Sequence, residues 1–175
     1  MTGPAPEARA PGTARTLVAG VGNIFLGDDG FGVETLRRLT REALPASVEL
    51  ADVGVRGVHL AYELLDGWDT LVLVDVTARG GAPGTLYLID ASAAGDRGGT
   101  EPAPLDGHRM TPDAVLALLD NLCVGTGAAP PRRILVVGCE PACLDEGIGL
   151  SPQVAAAVPE AVRMVTELVR QEAVV

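Results

Sequence analysis

The feature that most constrains the fold of this chain is a set of short apolar runs without polar alternation. Three of them cover residues 16–20, 70–75 and 133–138, and a further β-type run, which is not continuously apolar, lies at 48–52. Continuously apolar runs of this length are typical of strands buried on both faces of a parallel sheet. A fifth run, at 85–90, alternates more and begins too soon after residue 75 for a parallel crossover, which needs roughly a dozen residues. It is therefore predicted to be an antiparallel edge strand.

Helical patterns fill the gaps between these runs. Apolar residues recur at near-helical spacing over 33–44, and a second helix is predicted over 58–65. Two more helices begin with a capping residue followed by proline, at Thr111 and Ser151, and the last contains Pro159, which is expected to kink or split it. The alternation predicts an α/β three-layer sandwich: a mostly parallel, twisted five-stranded sheet with one antiparallel edge strand and helices on both faces.

Charge and composition exclude several classes of function. The net charge is −10, and all 13 basic residues are arginines. This balance disfavours a nucleic-acid partner, and the absence of lysine excludes a P-loop lysine, a Schiff-base lysine and a Ser–Lys dyad. No apolar run approaches 18 residues and no secretory signal core is visible, so we expect no membrane association and a cytoplasmic location. We predict a flexible tail at 1–14 and one α/β domain over 15–175.

Acidic residues follow three of the predicted strands. Asp28 and Asp29 lie in the long connection after the first strand, while Asp52 and Asp75 end the second and third. Because ligands of open α/β sheets bind beyond the carboxyl ends of the strands, these carboxylates are candidates for a site. Like charges gathered there cost several kcal/mol unless a cation or a proton offsets them. The alternative is that each carboxylate caps a turn or is separately solvated.

The remaining candidate groups give weaker signals. His59 lies on the predicted second helix and is expected to be a surface or packing residue, whereas His108, in a loop before a capped helix, is a plausible ligand. Cys139 and Cys143 are spaced C-x-x-x-C without a second ligand pair, which favours free thiols over a structural zinc site.

Residues 20–22 form half of a dinucleotide-binding fingerprint, but Phe25 stands where its third glycine would be. A non-catalytic nucleotide- or metal-binding α/β module therefore stays open as the alternative interpretation.

One longer motif resembles a known family. Residues 20–32, Gly-Val-Gly-Asn-Ile-Phe-Leu-Gly-Asp-Asp-Gly-Phe-Gly, resemble the N-terminal signature of the [NiFe]-hydrogenase maturation endopeptidases. Further stretches resemble the same family in the same order, so that the resemblance spans about residues 16–169; they are residues 52–54, 73–75, 82–85, 138–141 and 147–154.

The resemblance implies an activity. The family removes the C-terminal peptide of a hydrogenase large-subunit precursor after nickel has been installed. It implies that the nickel belongs to the precursor and that cleavage uses either a metal-polarised carbonyl or a metal-activated water. That precursor is the expected partner, and a monomer is expected because a bulky precursor must reach the edge of the sheet.

The resemblance also implies a site. By position, its catalytic and metal-contacting residues fall on Asp29, Asp75 and His108. Two carboxylates and one imidazole suit a borderline divalent ion such as nickel or zinc. The family carries either Glu or Asp at position 29, where Asp is one methylene shorter. Asp28 is a neighbouring alternative to Asp29, and Asp52 is given a supporting role only.

Overall fold

The strands and helices alternate along the chain as the apolar runs predict. The structure, a computed structural model, describes residues 13–92 and 112–174. These residues form five strands and four α-helices, in the order β1 Thr16–Val21, α1 Phe31–Leu39, β2 Val48–Gly54, α2 Gly57–Glu63, β3 Thr70–Val76, β4 Leu86–Asp90, α3 Pro112–Thr126, β5 Arg133–Cys139 and α4 Pro152–Glu172. Short 3-10 turns cover Gly27–Gly30 and Leu64–Asp66.

The strands form one sheet in the order β2-β1-β3-β5-β4. The first four pair in parallel, and β4 pairs antiparallel with β5 at the edge. In the centre of the sheet, Val72 of β3 pairs with Val18 of β1 and Leu135 of β5. All three side chains are almost completely buried, as a strand covered on both faces requires.

Helices cover both faces of the sheet and separate two apolar cores. One core lies under α1 and α4 and includes Phe31, Leu36, Val158 and Val165 together with Val18 and Val72 of the sheet. The other lies under α2 and α3 and includes Leu60, Leu64, Leu116 and Leu119 together with Leu71 and Leu73. The predicted three-layer α/β architecture is therefore confirmed.

Helix α1 ends earlier than the apolar spacing predicts. It stops at Leu39, and the Thr40 hydroxyl donates a hydrogen bond to the Arg37 carbonyl within the last turn. Leu44 nevertheless packs against the core from the following connection. The apolar spacing over 33–44 thus correctly predicted that Leu44 packs against the core, but Leu44 lies in the loop after α1 and not in the helix.

Helix α4 continues without a break through Pro159. A proline inside a helix leaves the carbonyl four residues earlier, here that of Ala155, without its helical donor. Pro159 lies on the exposed side of α4, while Val158 and Val162 on the other side are buried. The packing of this apolar face therefore holds the helix together, and the expected split does not occur.

Some predictions fall on other parts of the chain. Thr111, most of the predicted loop at 91–106 and most of the predicted tail at 1–14 lie outside the described residues, so these remain predictions. Among the helices described, none is long and apolar enough to cross a membrane.

Candidate functional site

The carboxyl ends of β1 and β3 lie side by side, and two glycines allow the next segment to pack tightly against them. A Cβ at Gly32, in the first turn of α1, would lie 2.2 Å from the Val74 carbonyl oxygen and 2.4 Å from that of Val21. Only glycine permits so close an approach of the helix to both strands. The connection from Gly22 to Gly30 is therefore folded over the edge of the sheet.

Gly22 brings two of the predicted site residues together. Its φ angle is +131°, a conformation that favours glycine. A Cβ at this position would lie 1.9 Å from the Asp29 carbonyl oxygen and 3.6 Å from Asp75 Oδ1. Asp29 and Asp75 thus border the same small volume at the end of β1, although 46 positions separate them in the sequence.

Asp29 is held in a defined orientation at this site. Its Oδ2 accepts a hydrogen bond of 2.8 Å from the Asn23 backbone N–H, and its own N–H donates to the Leu26 carbonyl. The side chain is half-buried. One carboxylate oxygen is thus fixed by the loop, which orients the group at the edge of the sheet.

Asp75 is the more unusual of the two residues. It is 7% exposed, and the hydrogen bond that the described residues provide to its carboxyl group comes from the neighbouring Val76 N–H to Oδ1, at 2.7 Å. Burial raises the pKa of Asp75, the Asp29 charge raises it further, and the Val76 N–H opposes both only in part, which brings the value to about 8. A buried carboxyl with so perturbed a pKa is a candidate functional group.

Asp28 plays a different part from its neighbour. Its carboxylate is completely buried and accepts four hydrogen bonds of 2.7–2.9 Å, from the N–H groups of Ala142, Cys143 and Ser151 and from the Ser151 hydroxyl. Burial alone would raise the pKa of Asp28, but these donors lower it below the ordinary value. Asp28 is thus a structural anchor that holds the connection between β5 and α4, and its oxygens are occupied.

Asp52 ends β2 next to β1 but keeps an exposed side chain. Arg56 donates to the Asp52 backbone carbonyl at 2.8 Å, which turns the chain into α2. A Cβ at Gly54 would lie 4.0 Å from Asp52 Oδ1. The described contacts of Asp52 thus belong to the turn after β2.

Glu140 is a second buried anchor, which the sequence did not single out as a site residue. Its carboxylate accepts hydrogen bonds from the backbone N–H groups of Arg79 and Gly80 and from the Tyr87 hydroxyl, at 2.8–3.2 Å. The Arg79 N–H and the other donors hold the pKa of Glu140 below its usual value, although burial opposes them. Glu140 thereby fixes the connection that begins two residues after Asp75. The only sequence signal for it was its place in the motif at 138–141.

The three cysteines are free thiols. Cys139 is buried at the end of β5, and burial together with the charges of Asp28 and Glu140 raises the pKa of this thiol to about 11. Cys143 is exposed. The Cys139 thiol is therefore unreactive at neutral pH, because a thiol with a pKa of about 11 stays protonated there.

The structure also bears on metal and nucleotide binding. Within residues 13–92 and 112–174, no three His, Cys, Asp or Glu side chains form a group able to hold a metal ion. His108, the third predicted ligand, lies outside the described residues. Asp28 and Asp29 occupy the turn before α1, where a dinucleotide would place its pyrophosphate. Two carboxylates at that position argue against a nucleotide.

Comparison with known proteins gives a consistent result. A model of the hydrogenase maturation protease family matches residues 33–168. The hydrogenase 2 maturation protease of Escherichia coli K12 is 34% identical over 164 residues, which cover 91% of this chain and 93% of that protein. The hydrogenase expression/formation protein HupD of Rhodobacter capsulatus is 33% identical over 155 residues, or 85% of this chain and 70% of that protein.

Solved structures resemble the fold over nearly its whole length. The hydrogenase maturating endopeptidase HybD from E. coli superimposes with a TM-score of 0.69 at 31% identity, covering 90% of this chain and 93% of that one. The hydrogenase 2 maturation peptidase from a Thaumarchaeota archaeon gives a TM-score of 0.66 at 30% identity, covering 88% and 97%.

Proposed function

This chain belongs to the hydrogenase maturation protease family and is a protease, and from that premise we propose the reaction that it catalyses. It is an endopeptidase that removes the C-terminal peptide of a [NiFe]-hydrogenase large-subunit precursor after nickel has been inserted. The names of its relatives support a role in hydrogenase maturation. The proposed requirement for nickel goes beyond these names and is supported by the residues of the candidate site.

The observation that carries the proposal is the juxtaposition of Asp29 and Asp75 around Gly22. The Asp29 main chain and the Asp75 carboxylate border the space at Gly22, and the Asp29 charge acts on Asp75, which is buried with a pKa of about 8. A divalent cation at this position would offset both causes of the raised pKa, since it favours the ionised carboxylate. The arrangement is thus better suited to a cation than to an empty site, and an imidazole from His108 would complete a donor set that suits nickel.

In this proposal the nickel arrives as part of the substrate. An ion already held by the precursor would retain open coordination positions, which Asp29, Asp75 and His108 could reach. A precursor without nickel would present no cation to offset the carboxylates, so its tail would not be fixed at the edge of the sheet. Recognition of the ion thereby makes cleavage depend on metal insertion. The ion supplies Lewis-acid chemistry, by polarising the scissile carbonyl or activating a water, and the protein supplies orientation.

Substitution of the three residues tests the assignment. Asp29→Asn, Asp75→Asn and His108→Ala should each lower the rate of trimming by at least about a hundredfold while the fold is retained, because each removes a charged or ligating group from the reacting centre. The measurement is the mass shift of a nickel-loaded precursor incubated with each purified variant. Asp66→Asn is the matched control, since Asp66 is exposed and precedes the amino end of β3, whereas the candidate site lies at the carboxyl ends of the strands. If all three variants trim as fast as this control, the site is wrong.

The metal requirement has its own test. Precursor prepared without nickel should stay at full length under conditions in which the nickel-loaded precursor is cut. Equal cutting of both would contradict the proposal that cleavage requires nickel. Thermal shift separates the proposal from the nucleotide-binding alternative. Nickel or cadmium should raise the melting temperature of the parent protein more than that of the Asp75→Asn variant. NAD should raise the melting temperature of neither protein.

A further inference from the structure

Large apolar side chains stand exposed beside the candidate site. Phe25 and Ile148 are 60% and 81% exposed, and Ile24 is also exposed. Their two loops are joined directly, because Gly147 donates to the Phe25 carbonyl at 2.9 Å and accepts from the Gly27 N–H at 2.9 Å. Full burial of one such side chain is worth about 1.5–3 kcal/mol, so a partner that covers them gains binding energy.

The exposure of Ile148 is built into its backbone. Gly147 and Gly149 on either side both have positive φ angles, +156° and +105°. These conformations favour glycine, and they direct the chain so that the side chain between them points away from the protein. The loop is therefore shaped to present an apolar residue, while Asp28 and the hydrogen bonds of Gly147 hold its two ends against the sheet.

Ile24 and Ile148 line one end of an open groove with a volume of about 300 Å³, which we call the edge groove. Val33 and Leu150 continue its apolar lining, and α1 forms one wall as far as Arg37 and Arg38. The groove begins at Gly27 and Gly30, on either side of Asp29. Its lining thus adjoins Asp29 without including Asp29 or Asp75, and the groove extends from there along α1.

The far end of the edge groove is basic in an acidic protein. Arg37 and Arg38 both pair with Glu34, at 3.2 and 3.4 Å, so that two guanidinium groups share one carboxylate. Each guanidinium carries five N–H donors, and most of them remain available for a further acceptor. This end of the groove is therefore complementary to an acidic group, although the chain as a whole carries a net charge of −10.

We propose that the edge groove binds the tail of the precursor that the protease removes, as an extended segment. This inference rests on the proposed function. An apolar side chain of the tail lies against Ile24 and Ile148, and an acidic group reaches Arg37 and Arg38. Those arginines lie eight and nine residues after Asp29, about 12 Å along the helix, which is the reach of about four extended residues. The acidic group is therefore expected about four residues beyond the bond that is cut.

The size and position of the groove favour the tail over the folded body of the precursor. A concavity of about 300 Å³ is at the small end of ligand sites and holds a few side chains. A folded domain would present a broader surface, whereas a tail that is cut beside Asp29 must continue along one of the surfaces adjoining it. The edge groove is such a surface, and it offers apolar contacts and a charged end in sequence.

The test uses two probes: the cognate nickel-loaded precursor, and a fluorescein-labelled synthetic peptide that copies its removed tail. Ile148→Ser should raise KM for the precursor and Kd for the peptide about tenfold, with kcat unchanged, because one apolar contact is lost. Val124→Ser is the matched control, since Val124 is 87% exposed on α3. Circular dichroism verifies that both variants are folded. Values of KM and Kd for Ile148→Ser equal to those of the control would overturn the proposal.

A second pair of variants tests the basic end. Arg37→Gln with Arg38→Gln should weaken peptide binding about threefold, and Arg132→Gln, before β5 at the opposite edge of the sheet, should leave it unchanged. Replacing the acidic residue of the peptide by alanine should weaken binding to the parent but not to the double variant, as expected for interacting partners. A loss of the same size in both proteins would overturn the assignment of this end.

The outcomes separate this inference from the proposed function. If the parent binds the peptide through Ile148 but does not trim the precursor, the groove stands and the proposed function fails. If the parent trims the precursor, and Ile148→Ser raises KM although the peptide does not bind, the exposed residues contact the body of the precursor. That result would overturn the tail as the occupant and leave the proposed function intact.

Discussion

Asp28 and Asp75 lie at the same edge of the sheet and are both more than nine-tenths buried, but their surroundings differ. Asp28 accepts four hydrogen bonds from the connection between β5 and α4, and its pKa is lowered. From the part of the chain that the structure describes, Asp75 accepts one bond, donated by its neighbour Val76, and its pKa rises to about 8. Burial acts on both carboxyl groups in the same direction. The four donors to Asp28 lower its pKa, whereas the single donor to Asp75 does not offset burial and the Asp29 charge.

The comparison distinguishes a structural carboxylate from a chemically available one. The oxygens of Asp28 are committed to backbone donors, so a ligand could take them only by breaking the loop. Within the described residues, the Asp75 carboxyl accepts a hydrogen bond from Val76 alone, so its burial is compensated less than that of Asp28. One buried aspartate thus anchors the connection between β5 and α4, and the other is the residue to which the proposed function assigns the cation.

The largest expected difference comes from making the same substitution at both positions. At pH 5, Asp28→Asn should lower the free energy of unfolding by about 3 kcal/mol, because the amide keeps only one acceptor oxygen and its NH2 group would face backbone donors that the carboxylate accepts from. Asp75→Asn should change it by less than about 1 kcal/mol, since a protonated carboxyl and an amide are similar in shape and charge. Urea unfolding followed by circular dichroism measures both. Equal losses would show that the two sites do not differ.

A pH series sharpens the comparison further. The folded pKa of Asp75, about 8, lies above the ordinary value of 3.8, so the stability that this residue contributes is complete below pH 3.8 and is lost as the pH rises toward 8. Asp75→Asn lacks this loss. Between pH 5 and 7 the variant should therefore gain up to about 2.7 kcal/mol relative to the parent, at 1.36 kcal/mol per pH unit. Urea unfolding at each pH measures the gain, and parallel curves for the two proteins would mean that Asp75 is ionised in the fold.

Much of the fold was accessible from sequence because it depends on local patterns. Apolar runs without alternation mark the central strands, and the short spacing before residues 85–90 correctly predicted the antiparallel edge. These signals reflect burial on two faces and the length of a crossover, which the chain expresses within a few residues. Pro159 shows the limit of such local rules, since helix packing overrides the break that the residue favours.

The candidate site was only partly accessible. Its position at the carboxyl edge follows from the parallel sheet, and Asp29 and Asp75 do meet there around Gly22. Asp28 and Asp29 are adjacent and chemically identical, so no local pattern could show which one is an anchor. The answer depends on donors between 114 and 123 positions later in the chain. Glu140 likewise acts on a connection about 60 residues before it.

A smaller effect is expected when one donor to Asp28 is removed. The Ser151 hydroxyl donates to Asp28 at 2.9 Å and accepts from the Val154 N–H at the start of α4. Ser151→Ala should lower the free energy of unfolding by about 1–2 kcal/mol, because it removes a bond to a charged group and a helix cap but keeps the backbone donors. Ser151→Thr, which retains the hydroxyl, is the control for urea unfolding. A loss as large as that of Asp28→Asn would mean that the hydroxyl, rather than the carboxylate, organises this anchor.

The smallest effect on global stability is expected at Glu140, which anchors the connection after β3. Glu140→Gln keeps one acceptor oxygen but loses the charge that strengthens the bonds from Arg79 and Gly80. The amide protons of these two residues should therefore exchange several-fold faster with solvent, while the urea midpoint stays near that of the parent. Hydrogen exchange read by NMR measures both residues, with the Val72 amide in the central strand as the internal reference. If the urea midpoint falls as far as it does in Asp28→Asn, both anchored connections unfold together with the core. The connection after Asp75 would then be held as firmly as the one that Asp28 anchors.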